Sequence, residues 1–354
     1  MPAPRRDLEL THRQLRDWLR RKLPQARDLT ITDLSGPSET GFSSDTLLFD
    51  AEWTDGAGAQ RERLVARFKP SGFTVFPKYD VAAQYRIMQA LRTTDVPVPR
   101  MRWLEEDEAP LGAPFYVMDR VDGRVPTDNP PYHVGGWLPD LTPAEREAMW
   151  WSGLEAMANI HRLDWRALGL TFLEQPERDG SPLEQQLREY DEFQSWGMDR
   201  RRYPLLDTAQ QWLRAHRPAD ETVGLCWGDS RLGNQIFNGT RCVAVIDWEM
   251  ARLGDPVQDL AWWIALDRCF CEGLGVERLA GLPDRDATIA RWERIVGRPA
   301  RHFAFYEVLA LYKFTAIMAR VILQLKHYEL FPADIDMDVN NLASTTLARV
   351  LAAA

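Results

Sequence analysis

Cys226-Trp227-Gly228-Asp229-Ser230-Arg231-Leu232-Gly233-Asn234-Gln235-Ile236-Phe237-Asn238-Gly239-Thr240-Arg241-Cys242-Val243-Ala244-Val245-Ile246-Asp247-Trp248-Glu249 is the most informative stretch of this 354-residue chain. Asn238-Gly239 between two apolar runs is a hairpin signal. Counting outward from it, Asn234 lies just before the first strand and Asp247 just after the second. At about 3.3 Å per residue, both side chains return to the same end of the hairpin. Asp229 sits five residues ahead of Asn234, on the loop that feeds it. One short hairpin therefore gathers two carboxylates and an amide. Hard oxygen donors of this kind suit Mg²⁺, which takes one or two carboxylates together with phosphate oxygens and water. Phosphoryl transfer asks for metal, positioning and a group on the attacking hydroxyl. A carboxylate would orient that hydroxyl and accept its proton late.

Upstream, the pattern predicts a small sheet. Residues 11–23 carry Leu15, Trp18, Leu19 and Leu23 at helical spacing, with Thr11 as the expected cap and Pro24 as the stop. Residues 29–34 alternate as a strand. A loop of small residues, Gly36 to Ser44, follows. Thr46–Trp53 and Arg63–Phe68 read as strands around an Asp55-Gly56-Ala57-Gly58 turn. An amphipathic helix over 80–92, capped by Asp80, precedes strands at 101–104 and 115–121. Asp122-Gly123 closes this part. Beyond it, helical patterns dominate at 142–164, 183–196, 206–216, 286–296, 303–328 and 336–352, interrupted by the β segment at 235–247. The reading is an α+β fold of two lobes: residues 1–121 as a small antiparallel sheet with one helix, and 122–354 as a larger, mainly helical lobe.

Composition narrows the function classes. The formal net charge is −9 and the pI about 5.3, against the basic balance of a nucleic-acid binder. The basic run at Arg200-Arg201-Arg202 reads as a solvated helix face. Four cysteines in so long a chain do not make a disulfide framework, and Cys269-x-Cys271 fits no common zinc spacing. There is no signal-peptide pattern, and no run of about 18 uninterrupted apolar residues. A cytoplasmic protein without a membrane or nucleic-acid partner is expected.

Gly-Asp-x-x-x-x-Asn, a hydrophobic strand and Asp-x-Glu together resemble the catalytic segment of the aminoglycoside phosphotransferase and choline-kinase-like superfamily. The continuation Leu253-Gly254-Asp255-Pro256-Val257-Gln258-Asp259-Leu260-Ala261 resembles the subgroup of phosphotransferase-like domains that accompany acyl-CoA dehydrogenase modules. The similarity runs from about residue 30 to about residue 330. It implies a two-lobed, protein-kinase-like fold and a magnesium-dependent kinase that moves the γ-phosphate of ATP, or of GTP, to a hydroxyl of a small molecule. By the resemblance, Asp229 is the catalytic aspartate and Asn234 and Asp247 are the metal ligands. Ser43 and Ser44 lie in the phosphate-covering loop, and Arg67 stands where the family has its phosphate-contacting basic residue. The backbone at Asp119 and Val121 would bond an adenine edge.

Three positions depart from the family pattern. Trp227 replaces the usual histidine, Arg67 the strand lysine, with Lys69 as the other candidate for that place, and Gln84 the helix glutamate that pairs with it. An Arg67–Gln84 pair would keep at most a charge-assisted hydrogen bond. These departures leave a second reading open, a catalytically silent nucleotide-binding pseudokinase acting as sensor or scaffold. Glu249 reads either as a further metal ligand or as a partner of a nearby arginine. Asp259 is expected to anchor the loop from the start of its helix, and His161 to be structural. The acceptor suggested by the subgroup is a hydroxylated acyl or other lipid-derived metabolite.

Overall fold

The computed structural model describes residues 6–36, 45–198 and 201–354. Helix α1 (Leu8–Lys22) is followed by strands β1 (Arg27–Ser35), β2 (Asp45–Asp55) and β3 (Gly58–Phe68), helix α2 (Val81–Leu91), and strands β4 (Met101–Glu105) and β5 (Phe115–Asp119). The strands form one antiparallel sheet in the order β1-β2-β3-β5-β4. The cap of α1 is Asp7, whose carboxylate accepts from the N–H groups of Glu9 and Leu10, and not Thr11, which is buried inside the helix. Asp80 caps α2 through the N–H of Ala83.

Period-two alternation on β3 assigns its two faces. Leu64, Ala66 and Phe68 join Leu15, Trp18 and Leu19 of α1 in one core. Val65 turns the other way, toward Ile87, Met88 and Leu91 of α2. Arg67 shares that second face and lies opposite Tyr116 in the register. The strand thus hides an apolar row under α1 and delivers one guanidinium to the side facing the rest of the chain.

The helices that follow are α3 (Pro143–His161), α4 (Pro182–Gly197), α5 (Pro204–Ala215), α6 (Val257–Cys271), α7 (Arg285–Val296), α8 (Phe303–His327) and α9 (Leu342–Ala353). Capping boxes start α3 at Thr142 with Glu145 and α4 at Ser181 with Glu184, each with proline in the first turn. Short strands β6 (Gly224–Cys226) and β9 (Arg252–Gly254) pair with each other, as do β7 (Gln235–Asn238) and β8 (Arg241–Val245). The β7–β8 turn is Gly239-Thr240, one residue later than Asn238-Gly239, and Gly239 takes φ +60°. Helix α6 is buried on every side, so it lacks the polar stripe that marks a surface helix. Helix α8 is long and apolar enough to cross a bilayer, yet 78% of that stretch is buried inside the fold.

Residues 69–80 strap the sheet to the helices. The Phe73 N–H donates to Tyr328 Oη (2.8 Å), Arg320 Nε donates to the Thr74 carbonyl (2.9 Å), and the Phe76 ring meets Phe193 of α4. A second tie joins the chain after β5 to β7, where Arg124 and Phe237 exchange two backbone hydrogen bonds of 2.8 Å. Trp18 tests the sheet core. It is fully buried, and its indole N–H donates to Glu105 (2.8 Å). Trp18→Ala is expected to lower unfolding stability by about 3–5 kcal/mol, and Trp18→Phe by less, read from urea melts.

Candidate active site

The hairpin performs the gathering that its spacing predicts. Gln235 pairs with Val245, and the Asn234 carbonyl accepts from the Ile246 N–H (3.0 Å), so Asn234 and Asp247 flank the same end. Asp229 faces them. Its carboxylate accepts from Asn234 Nδ2 (2.6 Å), from Arg231 Nε (3.0 Å to each oxygen) and from Trp262 Nε1 (2.9 Å). Asn234 Nδ2 also donates to the Asp229 carbonyl (3.0 Å). Because that amide N is turned to Asp229, the amide Oδ1 points the other way, and among the described residues nothing donates to it. Asp247 is left-handed, φ +61°, a conformation that aspartate tolerates better than most residues. One of its oxygens takes the Arg67 guanidinium at 2.7 Å.

The loop before Asp229 is fixed by Asp259. Its carboxylate accepts from the N–H groups of Trp227 (2.6 Å) and Gly228 (3.0 Å) and from His161 Nε2 (3.0 Å). Trp292 Nε1 donates to His161 Nδ1 (2.9 Å), so the imidazole proton sits on Nε2, facing Asp259. His161 and Asp259 are thus structural anchors, as expected. Trp227 braces the loop by hydrogen bonding as well as packing. Its indole N–H is shared between the carbonyls of Ile246 (2.9 Å) and Asp247 (3.2 Å), which ties the Asp229 loop to the Asp247 turn. Gly228 takes φ +94°, and a Cβ there would lie 2.1 Å from the Met250 carbonyl oxygen.

Charge decides the rest. Burial raises the Asp229 carboxyl above the usual carboxylate range; Arg231 opposes this and the negative Asp247 adds to it. Burial works against the Arg67 cation, but Asp247, Tyr116 and Glu249 outweigh it and its pKa is raised. Arg67 Nη2 lies 3.7 Å from Glu249, which favours the arginine-partner reading of that carboxylate. The Arg67–Gln84 pair is not formed. Gln84 accepts from the Tyr116 hydroxyl (3.2 Å), and the longer, forked guanidinium reaches past it to Asp247. Asp119 gives its N–H to the Arg100 carbonyl (2.9 Å), so that donor is already used within the sheet edge. Val121, itself half-buried, follows between exposed Arg120 and Asp122 on the connection after β5. Ser43 and Ser44 lie outside the described residues.

Two residues beside Asp229 escape a reading by motif. Arg231 clamps Asp229 to Asp128, a residue 103 positions upstream. Trp262 reaches Asp229 from α6 and reads from sequence only as an aromatic of core or pocket wall. The charge of Arg231 two residues after Asp229 was the available signal for the first; nothing local marks the second. His133, Asp267 and Cys271 also stand within metal-binding reach of one another. That cluster is already satisfied: Asp267 accepts from Tyr132 (2.7 Å), His133 (3.0 Å) and Arg278 (2.6 Å), and His133 Nδ1 accepts from the Leu279 N–H. All four cysteines are free and buried.

Comparison with known proteins gives the same direction. A family model described as the phosphotransferase enzyme family matches residues 40–296. Acyl-CoA dehydrogenase family member 10 of Mus musculus is 33% identical over 202 residues, 56% of this chain and 18% of that protein. Acyl-CoA dehydrogenase family member 11 of Rattus norvegicus is 27% identical over 269 residues, 72% of this chain and 33% of that protein. The chain therefore spans between about a fifth and a third of the length of these relatives. Among solved structures, an aminoglycoside-phosphotransferase-like protein of Ralstonia eutropha JMP134 superposes with a TM-score of 0.68 at 24% identity, over 96% of this chain and 98% of the other. The aminoglycoside phosphotransferase APH(4)-Ia, in a ternary complex with ADP and hygromycin B, gives 0.56 at 16% identity over 96% and 98%. A macrolide 2'-phosphotransferase of Brachybacterium faecium gives 0.54 at 17% over 94% and 97%. These structures establish the kinase-like α+β fold.

The Gly228 geometry carries a prediction about the loop. Gly228→Ala combines an unfavourable φ with a backbone clash, and is expected to destabilise by at least about 2 kcal/mol, read as a lowered melting temperature, with loss of any phosphotransfer.

Proposed function

The chain belongs to the phosphotransferase enzyme family, and from its site we propose that it transfers the γ-phosphate of ATP to a hydroxyl of a small molecule, with Asp229 as the base. The acceptor oxygen attacks the γ-phosphorus, its proton passes to a carboxylate oxygen of Asp229, and the bond from the phosphorus to the oxygen bridging to ADP breaks. The observation that carries this reading is the clamp on Asp229. Arg231, Asn234 and Trp262 hold the carboxylate in one orientation, which fixes where an acceptor hydroxyl must lie. Burial leaves the carboxylate more basic than a solvated one and still suited to accept a proton late.

The donor set at the hairpin fits magnesium. Asn234 Oδ1 is turned away from its own hydrogen bonds, and Asp247 has an oxygen beyond the one that takes Arg67. Asn234 and Asp247 would hold the ion, which would neutralise phosphate charge as it builds up in transfer. Arg67 reaches the same place from β3 and suits the phosphates of a bound nucleotide. Support for nucleotide use comes from the fold neighbour that binds ADP together with hygromycin B; GTP is the alternative donor. The relatives named for acyl-CoA dehydrogenases favour a hydroxylated acyl metabolite as acceptor over an aminoglycoside.

Calorimetric titration with ATP tests the nucleotide site. Binding should require Mg²⁺ and should be lost in Asp247→Ala; no binding by the wild type under either condition overturns the reading. Asp229→Asn should keep Mg-ATP binding and lower turnover by about 10²–10⁴-fold. Turnover left intact in that variant removes Asp229 from its role, and binding without any turnover in the wild type favours a silent sensor.

The electrostatics predict a pH profile. Asp229 must be ionised to accept a proton, so activity falls as pH drops through its raised pKa, above the usual carboxylate range. Arg231 favours the ionised form. In Arg231→Met the acidic limb of kcat/KM should therefore move to higher pH, whereas a purely structural role would lower the whole profile without moving it.

A further inference from the structure

Helix α8 carries one lysine in the middle of its apolar run. Lys313 is only 3% exposed. Its ammonium lies 5.0 Å from the centre of the Trp262 ring and 5.7 Å from that of Tyr190. Among the described residues no carbonyl, hydroxyl or carboxylate accepts a hydrogen bond from it. Arg252 of β9 lies close enough to repel it. That guanidinium gives Nη1 to Glu189 (2.7 Å), but its Nε is buried with no acceptor among the described residues.

Two neighbouring cations with unused donors are an expensive arrangement inside a protein. The nearby carboxylates attract the ammonium but do not accept a hydrogen bond from it. Asp259 is taken up by the N–H groups of the loop and by His161, and Asp229 by Arg231, Asn234 and Trp262. The aromatic faces of Trp262 and Tyr190 offset part of the cost through their negative ring faces, but they supply no acceptor atom. The same Trp262 whose ring faces Lys313 gives its indole N–H to Asp229, so one indole separates the ammonium from the base.

We propose that Lys313, with Arg252 beside it, binds an acidic oxygen group, a carboxylate or a phosphate, carried by the same acceptor molecule whose hydroxyl is presented to Asp229. This rests on the phosphotransferase reading and names its substrate class. The anion supplies the acceptors that Lys313 lacks, and its distance from the reacting hydroxyl is set by the Trp262 indole. An acceptor studded with ammonium groups would meet the like charges of Lys313 and Arg252. Burial and Arg252 push the Lys313 ammonium down to about 8, against the opposite pull of Asp259, Cys226 and Asp229. The cation is therefore present below that pH and fades above it.

Matched sets of one carbon skeleton test this: glycerol, glycerate and glycerol 3-phosphate, and the corresponding six-carbon diol, hydroxy acid and hydroxyalkyl phosphate. Each is offered to the full chain with saturating Mg-ATP, and transfer is read by mass spectrometry. The acidic members should be phosphorylated in preference to the neutral ones, and the comparison of carboxylate with phosphate identifies which source the site takes. Lys313→Met should lose at least tenfold in kcat/KM toward the preferred acid, mostly through KM, and Lys313→Arg should recover most of it. KM for that acid in the wild type should rise as pH passes about 8, a dependence that Lys313→Arg removes. Equal use of neutral members, transfer to none of the acidic ones, or an unchanged KM in Lys313→Met with a raised melting temperature would overturn the proposal, the last by showing the lysine to be a core residue alone. Failure of Mg-ATP to bind at all would instead strike the phosphotransferase reading on which it stands.

Discussion

The geometry of the site hangs on one buried carboxylate. Asp259 is fully enclosed, a place that a protein gives to a carboxyl group only when its oxygens find hydrogen-bond partners. Here two backbone N–H groups of the Trp227-Gly228 turn and the His161 imidazole answer it, while its own carbonyl receives the Ser230 hydroxyl at 2.7 Å. Its place in the first turn of α6 adds the favourable end of a helix dipole. The chain of contacts runs Trp292 to His161 to Asp259 to the loop, so helices α7, α3 and α6 together position the segment that ends in Asp229. The packed helices thereby become the frame for a loop that has little regular structure of its own.

Against that frame the site balances four carboxylates, Asp128, Asp229, Asp247 and Glu249, with two guanidinium groups. Arg231 belongs to the loop and holds Asp229 to Asp128. Arg67 comes from the sheet and reaches 180 residues along the chain to Asp247. A lysine at this position would be a compact point charge; the forked guanidinium lies within reach of Asp247 and Glu249 together. The expected partnership inside the sheet, with a residue of α2, is thus exchanged for one that bridges sheet and helices, and Gln84 is left to accept from Tyr116.

How much of this was legible in the sequence depended on range. The α+β architecture, the sheet strands and the hairpin that unites Asn234 with Asp247 follow from local periodicity and turn residues, which act over a few positions. The errors at this level were small and local: Asp7 rather than Thr11 caps α1, and the hairpin turn sits one residue late. Helix α6 is weakly marked because complete burial removes the polar stripe that periodicity detects. What the sequence hides is pairing at distance. Nothing local says that Trp262 will touch Asp229, that Asp128 will hold Arg231, or that Arg67 will bypass Gln84. Arg231 stood in plain view beside Asp229, but a charge two residues from a carboxylate is common in loops, and only the fold shows that both oxygens receive its Nε.

The substitution of tryptophan for histidine at position 227 has a consequence for how the site responds to pH. A histidine in that place would titrate near neutrality and could loosen or tighten the loop as it did so. The Trp227 indole does not titrate in that range, and its single N–H is shared between the Ile246 and Asp247 carbonyls, with the ring packed on Trp248 at 6.2 Å. The brace between the Asp229 loop and the Asp247 turn is therefore independent of pH. His161, the histidine that does touch the loop's anchor, receives the Trp292 N–H on one nitrogen and donates to Asp259 from the other. The loop that carries Asp229 is thus held from two sides, by the Trp227 indole at the Asp247 turn and by the Asp259 carboxylate at the start of α6.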